Sequence, residues 1–260
     1  MELKVIAHAR NGHTDKFGIP RQSRDESPIV TRIVFEPEYS VPEALRGIDG
    51  FSHLWLIWGF SEDERLKVKG ERGEWSPTVR PPRLGGNKRM GVFATRSPFR
   101  PNPLGLSSVR LIAVRINEKL KIKNEKLSEI PTEKGSLELI VTGADLLDGT
   151  PIYDIKPYLS FSDCHEDALN GFAEETKDYR LNVEGLTGEI DESVKADIEY
   201  ILSQDPRPAY QDDPEREYKM DYAGWRITFT VKVPNVFVKK IEKTTKYHFF
   251  EKKTRVHLRI

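Results

Sequence analysis

Through residue 158 the apolar positions come in short runs set off by polar and turn-forming residues. Thr31-Arg-Ile-Val-Phe35 and Leu137-Glu-Leu-Ile-Val-Thr142 alternate with the two-residue period of a strand. Lys4–Ala7, Ser107–Ile116 with Leu120–Lys123 as a hairpin, and Ile152–Tyr158 extend the series. Phe51–Phe60 (FSHLWLIWGF) is the most apolar run, too short for a membrane span, and reads as a strand buried on both faces. Val41–Gly47 reads as one or two helical turns, started by Ser40 and Pro42 and stopped by Gly47. Many short strands with turn signals between them predict a mainly β fold, a sandwich or a barrel.

The pattern changes near residue 159. Ile190, Val194, Ile198 and Ile201 or Leu202 recur at helical spacing, predicting a helix over 189–204. Ala223–Val233 then alternates as a half-buried strand, with Phe237–Ile241 and Tyr247–Phe250 as partners. The predicted organisation is a β domain over 1–160 and a small α+β domain over 161–260. His8–Ile29, polar and punctuated by Gly12, Gly18, Pro20 and Pro28, reads as a long loop of the functional kind.

Composition sharpens this outline at one place. Residues 75–105, WSPTVRPPRLGGNKRMGVFATRSPFRPNPLG, hold six prolines, four glycines, six Lys/Arg and no acid. Proline fixes φ and removes a donor, so only Gly91–Thr95 reads as a strand there, between two stiff cationic loops. Fixed guanidiniums present a planar fork to phosphate or carboxylate, which makes Arg80, Arg83, Lys88, Arg89, Arg96 and Arg100 candidates for an anionic ligand. The net charge is zero, yet 162–221 carries 18 acids against 6 Lys/Arg, and 239–260 carries 8 Lys/Arg against 2 acids. The basic loop and tail are therefore the candidate nucleic-acid surfaces; an acidic helix beside a basic strand explains the tail equally well.

Other classes drop out. A single cysteine, Cys164, leaves no disulfide framework and no multi-Cys zinc site, and the six histidines show no metal-ligand spacing, so no metal is expected. The chain shows no signal-peptide pattern and no apolar stretch near twenty residues, which predicts a cytoplasmic protein with no membrane partner. Dinucleotide, P-loop, nucleophile-elbow and zinc-protease motifs are missing from the sequence. Three polar patches remain: Pro20-Arg21-Gln22, the central loop, and Asp148-Gly149-Thr150-Pro151 within a compact turn that begins at Asp145. In a barrel such loops can meet at one mouth. There an aspartate suits a ligand's amine and hydroxyls, and Arg96 and Arg100 suit its carboxylate or a nearby phosphate.

The central loop, with LDGTPIYDIKPY (147–158) and QDPRPAY (204–210), closely resembles the TsaA-like (YaeB) family of tRNA methyltransferases. The resemblance implies a β-barrel over residues 1 to about 160, S-adenosylmethionine bound by that barrel rather than by a Rossmann sheet, and a homodimer. The implied activity is methylation of N6 of threonylcarbamoyladenosine at position 37, in the anticodon loop of tRNA. By matching positions, the donor would be held by Pro20, Arg21, Gln22, Ser61, Glu62, Arg96, Leu106, Asp148, Gly149, Thr150 and Pro151. The tRNA would meet Arg80, Arg83, Lys88, Arg89, Arg100, Arg207 and Tyr210. Ser61-Glu62 departs from the His-Gln pair of many bacterial members, and Asn117–Gly135 is longer than the family's usual hairpin. No catalytic base is identified; Asp154, Lys156, Asp205 and Tyr210 are candidates by motif membership. Two other functions fit the same residues: an RNA-binding barrel without catalysis, and a methyltransferase acting on a small anionic metabolite.

Overall fold

A computed structural model describes residues 2–60, 75–81, 88–116, 137–208 and 211–244, with the backbone of 119–122. The strands of the first half are β1 (Ala7–Arg10), β2 (Val30–Phe35), β3 (His53–Gly59), β4 (Thr78–Val79), β5 (Met90–Gly91), β6 (Leu104–Ile116), β7 (Lys119–Ile122), β8 (Glu138–Thr142) and β9 (Pro151–Pro157). Their order is β3-β9-β1-β2-β8-β6, and β6 pairs back onto β3, closing a six-stranded antiparallel barrel. The long β6 makes closure possible. Its first half pairs with β3 (Gly59↔Leu104 to His53↔Arg110) and its second with β8 (Arg110↔Thr142 to Arg115↔Glu138). β7 extends the sheet beyond β6, and β4 pairs with β5 alone.

Alternation fills the barrel. Ala7, Ala9, Ile33, Leu54, Leu56, Trp58, Val109, Leu111, Leu139, Val141 and Ile152 point into one apolar core; a narrow barrel needs such a mixture of small and large side chains. β3 is buried on one face only: Leu54, Leu56 and Trp58 go inward, while His53, Trp55 and Ile57 stay half-buried on the outside. The all-apolar run predicted two buried faces, but Trp55 is covered by local contacts, a ring contact with Tyr158 and an Nε1–H bond of 2.8 Å to Asp163. On the outward face of β8, the fully buried Glu138 is forked by Arg32 (Nε 2.9 Å, Nη2 2.6 Å) and approached by Arg115 Nη1 at 3.2 Å.

The second sheet has the order β10 (Asn182–Glu184), β13 (Asn235–Lys243), β12 (Trp225–Lys232), β11 (Tyr218–Tyr222), with β10 parallel to β13 and the rest antiparallel. The helix Glu192–Ser203 starts at Asp191, whose carboxylate accepts from Ser193 N at 3.0 Å. It buries Ile198, Ile201 and Leu202 against Met220, Ile227, Phe229 and Val236. β12 begins two residues later than predicted, because Ala223 and Gly224 (φ 47° and 81°) form the tight turn from β11. The predicted strand Tyr247–Phe250 lies outside the described residues.

Residues 11–29 form the connection from β1 to β2, and they are not a solvated loop. Ile29 is fully buried in the second core, and Phe17 stacks on Tyr218 with ring centroids 6.2 Å apart. Gly12 O accepts from Ala223 N at 3.0 Å, and His13 meets the Tyr222 ring edge-on at 5.0 Å. Gly18 has φ 111°, and a Cβ there would fall 2.5 Å from Met220 Sδ, so only glycine fits both the turn and the packing. Further on, Asp25 sits in the fork of Arg110 and accepts from His53 Nε2 at 3.0 Å. One segment thus ties the barrel to the second sheet.

Candidate functional site

β1, β3 and β8 run toward one end of the barrel, and β2, β6 and β9 start from it. The connections 11–29, 60–103 and 143–150 therefore share one mouth, and these connections contain the three polar patches.

The third connection is a fixed turn. Asp148 N donates to His13 O at 2.9 Å, Gly149 N to Ala9 O at 2.8 Å, and Thr150 Oγ1 to Leu147 O at 2.8 Å. Asn11, buried, fastens it from below: its Nδ2 donates to Leu146 O at 2.9 Å, its Oδ1 accepts from His13 N at 2.9 Å, and its N–H reaches Asp148 Oδ1 at 3.1 Å. Asp148 Oδ2 lies 3.9 Å from Arg10 Nη1, beyond hydrogen-bond distance. Partial burial pushes the Asp148 carboxyl up, against the Asn11 N–H and the nearby arginines.

A second carboxyl, Asp145, stands at the same rim. Ser107 Oγ donates to Asp145 Oδ1 at 2.5 Å and accepts from Trp58 Nε1 at 2.9 Å. Burial pushes Asp145 up, while Ser107 and the charge of Arg96 pull it back. Gly105 makes the arrangement possible: a Cβ there would meet the Trp58 indole at 2.1 Å, so the ring lies directly on its backbone. Beside it Leu104 and Leu106 are exposed.

Arg96 Nη1 donates to Gln22 Oε1 at 2.5 Å, bringing the central loop to the first connection. Pro20 is buried. Arg21 turns the other way: its Nη2 donates to Arg207 O at 2.9 Å, and the charge of Asp205 lies close by. Arg207 is itself buried, with Nε on Asp205 at 3.0 Å and Nη1 on Gln211 O at 3.1 Å, and Tyr179 Oη also donates to Asp205, at 3.0 Å. Asp154 and Lys156 pair with each other at 2.9 Å. Ser61, Glu62, Arg83 and Tyr210 lie outside the described residues.

In the central loop the predicted strand at 91–95 is a two-residue bridge followed by a 3-10 turn, Val92–Ala94. Among the described residues no strand pairs with 92–94; Val92 is buried and Phe93 faces solvent. Arg100 Nη1 closes the turn, donating to Val92 O at 3.0 Å and Thr95 O at 2.7 Å. Arg89 bonds Thr78 through Nε at 2.8 Å, and Arg80, Lys88, Arg89 and Arg96 are exposed.

Gln22, Arg96 and the turn 145–151 thus come together at the mouth. Pro20 is buried in the first connection, and Leu106 is exposed on the opposite face of β6 from Ser107, whereas Arg21 and Arg207 belong to the junction with the second sheet. Sequence reasoning missed Asn11, Trp58, Ser107 and Asp145. Asp145 was within reach, three residues before Asp148 in the same turn; Ser107 and Trp58 give no motif. Among the described residues no group of three or more His, Cys, Asp or Glu converges as a metal site, and no helix is long and apolar enough to cross a membrane.

Comparison with known proteins adds to this geometry. Residues 8–164 match the family model described as the tRNA-methyltransferase O N-terminal domain, and residues 175–244 match the TrmO C-terminal domain. The chain is 36% identical over 241 residues to a tRNA (adenine(37)-N6)-methyltransferase of Escherichia coli K12, covering 89% of this chain and 92% of that protein. A relative with the same name from Eikenella corrodens is 46% identical over 186 residues, covering 70% and 91%. Among solved structures, TrmO from Pseudomonas aeruginosa superposes with a TM-score of 0.64 at 28% identity, covering 93% of this chain and 98% of that one.

Proposed function

We infer that this chain, which belongs to the tRNA-methyltransferase O family, transfers a methyl group from S-adenosylmethionine to N6 of adenine 37 in the anticodon loop of a tRNA. The base is taken to carry its threonylcarbamoyl group. One observation carries this reading: the polar turn at Asp148 and the acid-free cationic loop, distant in sequence, open at the same barrel mouth.

The residues at the mouth suit the donor. Asp148 presents a carboxylate whose Oδ2 is beyond hydrogen-bond distance of Arg10, a fit for an amine or a ribose hydroxyl. The exposed Leu104 and Leu106 offer apolar surface, and Arg96 offers a guanidinium for a carboxylate. When bound, the donor supplies a methyl already activated on a sulfonium. The protein then has mainly to align the nucleophile with it and keep both in place. Asn11 and the backbone of Ala9 and His13 hold Asp148 at the rim, and the Trp58–Ser107–Asp145 chain fixes the opposite side. The N6 of a carbamoylated adenine is ureido-like and more acidic than a plain exocyclic amine, so a neighbouring positive charge favours its reactive anion. The exposed Arg80, Lys88, Arg89 and Arg96 supply charge for the phosphates around position 37, a base presented in a single-stranded loop. A cytoplasmic homodimer, as in the resemblance, is part of this proposal.

Asp148→Ala is expected to weaken S-adenosylmethionine binding by about 1–3 kcal/mol, the scale of a lost hydrogen bond to a charged group. Asp148→Asn, which keeps the acceptor for Asn11 N–H, should lose less. Calorimetric titration measures both, and unchanged affinity in folded Asp148→Ala removes that side chain from the site.

Substrate identity is tested by incorporation of labelled methyl into two transcripts side by side, one unmodified and one threonylcarbamoylated at position 37. A site built around a polar group rejects the analogue that lacks it. The expected result is incorporation into the modified transcript only. Equal incorporation overturns the substrate, and none into either leaves an RNA-binding barrel or a metabolite enzyme.

A further inference from the structure

We propose that Trp75 and Phe93 form a stacking platform for an unpaired nucleobase of the tRNA anticodon loop, which rests on the function inferred above and adds a recognition surface to it. The two rings lie side by side, centroids 6.2 Å apart and planes within 21° of parallel. Trp75 is 47% exposed and Phe93 70% exposed. Large aromatic surface is left in water where something else is to cover it.

The exposure is built in. Val92 is buried, so the 3-10 turn it anchors has to carry Phe93 outward. Arg100 locks that turn through two carbonyls, and its guanidinium carbon stands 5.5 Å from the Phe93 ring centroid. The Trp75 segment is fastened alongside by Ser76 N to Phe99 O at 3.1 Å and Val92 N to Pro77 O at 3.0 Å. The rings are thus held before any ligand arrives, which lowers the ordering cost of binding.

The surroundings select the occupant. Residues 75–105 contain six Lys/Arg and no acid; Arg80, Lys88, Arg89 and Arg96 stand exposed in the same loop, and Arg100 sits over the Phe93 ring. Aromatic faces interleaved with cations are what single-stranded nucleic acid requires: the rings take bases of any identity while the cations track the phosphates. A purely apolar partner would leave these charges desolvated and unmatched. The platform also adjoins the mouth, because Arg96, three residues beyond Phe93, reaches Gln22. A base stacked there is a near neighbour in the loop of the base being methylated.

The test measures binding of a fluorescently labelled anticodon stem-loop RNA, threonylcarbamoylated at position 37, to the full chain. Phe93→Ala and Trp75→Ala should each weaken binding by about 10- to 100-fold, with S-adenosylmethionine affinity and the salt dependence of RNA binding unchanged. Phe93→Tyr, which keeps the ring, should restore binding to within about threefold of the parent. Equal affinity of Phe93→Ala and parent overturns the platform, as does a variant whose oligomeric state shifts while RNA affinity holds. Methylation of the same RNA by the parent, measured separately, decides the proposed function, so the two can fail independently.

Discussion

Glu138→Ala should cost about 3–5 kcal/mol of folding stability, the usual penalty for removing one partner of a buried ion group. The carboxylate is fully buried between Arg32, which grips both oxygens, and Arg115, itself only 3% exposed. Burial and the neighbouring Arg32 already lower the Arg115 pKa, and Glu138 is the charge that offsets them. Without it, two guanidiniums on β2 and β6 face each other across β8. Those strands flank β8 in the closed barrel, so the loss should appear as global unfolding at lower denaturant. Glu138→Gln keeps the shape without the charge and should fall between parent and Ala. A loss below about 1 kcal/mol for Glu138→Ala would mean that water reaches the group and screens it.

The second large effect is a pair of opposed titrations. His13 is 2% exposed, and burial lowers its pKa from 6.5 to about 4. Asp197 accepts from Tyr222 Oη at 2.7 Å, and burial raises its pKa from 3.8 to about 6. Between these values an unfolded His13 holds more proton than the folded one, so its contribution to stability is full above pH 6.5 and is lost as pH falls toward 4. For Asp197 the folded state holds more proton, so its contribution is full below pH 3.8 and is lost as pH rises through 6. Each is worth about 3 kcal/mol, since a tenfold change in proton affinity corresponds to about 1.36 kcal/mol. Both side chains meet Tyr222, and between pH 4 and 6 their slopes oppose each other. Asp197→Asn removes one slope and keeps an acceptor for Tyr222. Its stability relative to the parent should therefore climb by about 3 kcal/mol from pH 4 to pH 7. A flat difference across that range would show that Asp197 titrates as an exposed carboxyl.

The barrel was legible where physics is local. Alternation located β2, β6 and β8, and the 3.6-residue period found the helix that Asp191 caps. It failed where tertiary contacts decide. β11 alternates Tyr218, Met220 and Tyr222 with Lys219 and Asp221, yet it lies at the end of the acidic stretch, where the sequence reading places no element. Val92-Phe93-Ala94 has strand-forming composition but folds as a 3-10 turn, with no ladder partner among the described residues. At the site, sequence pointed to Asp148, Arg96 and Gln22 because they stand in distinctive motifs. It assigned Arg207 to the tRNA from its motif, whereas the structure encloses that guanidinium with Asp205, a burial that no local pattern shows. Nor does any local pattern announce that Ser107, on β6, will donate a hydrogen bond to Asp145 in the connection after β8.

The tie between residues 11–29 and the second sheet has a consequence in time. Phe17 and Ile29 are made early, but Tyr218 and Phe229, against which they pack, follow some two hundred residues later. At about 5–20 residues per second, that interval is on the order of 10–40 s on the ribosome. The barrel strands are complete by Pro157, so the barrel can close while one wall of its mouth still lacks its backing. A growing chain therefore passes through a stage with a finished cylinder and an unset rim, in which Phe17 and Ile29 are open to capture by a chaperone. The rim that the first connection builds is then backed only after the second sheet has been made, even though that connection is among the first segments to emerge.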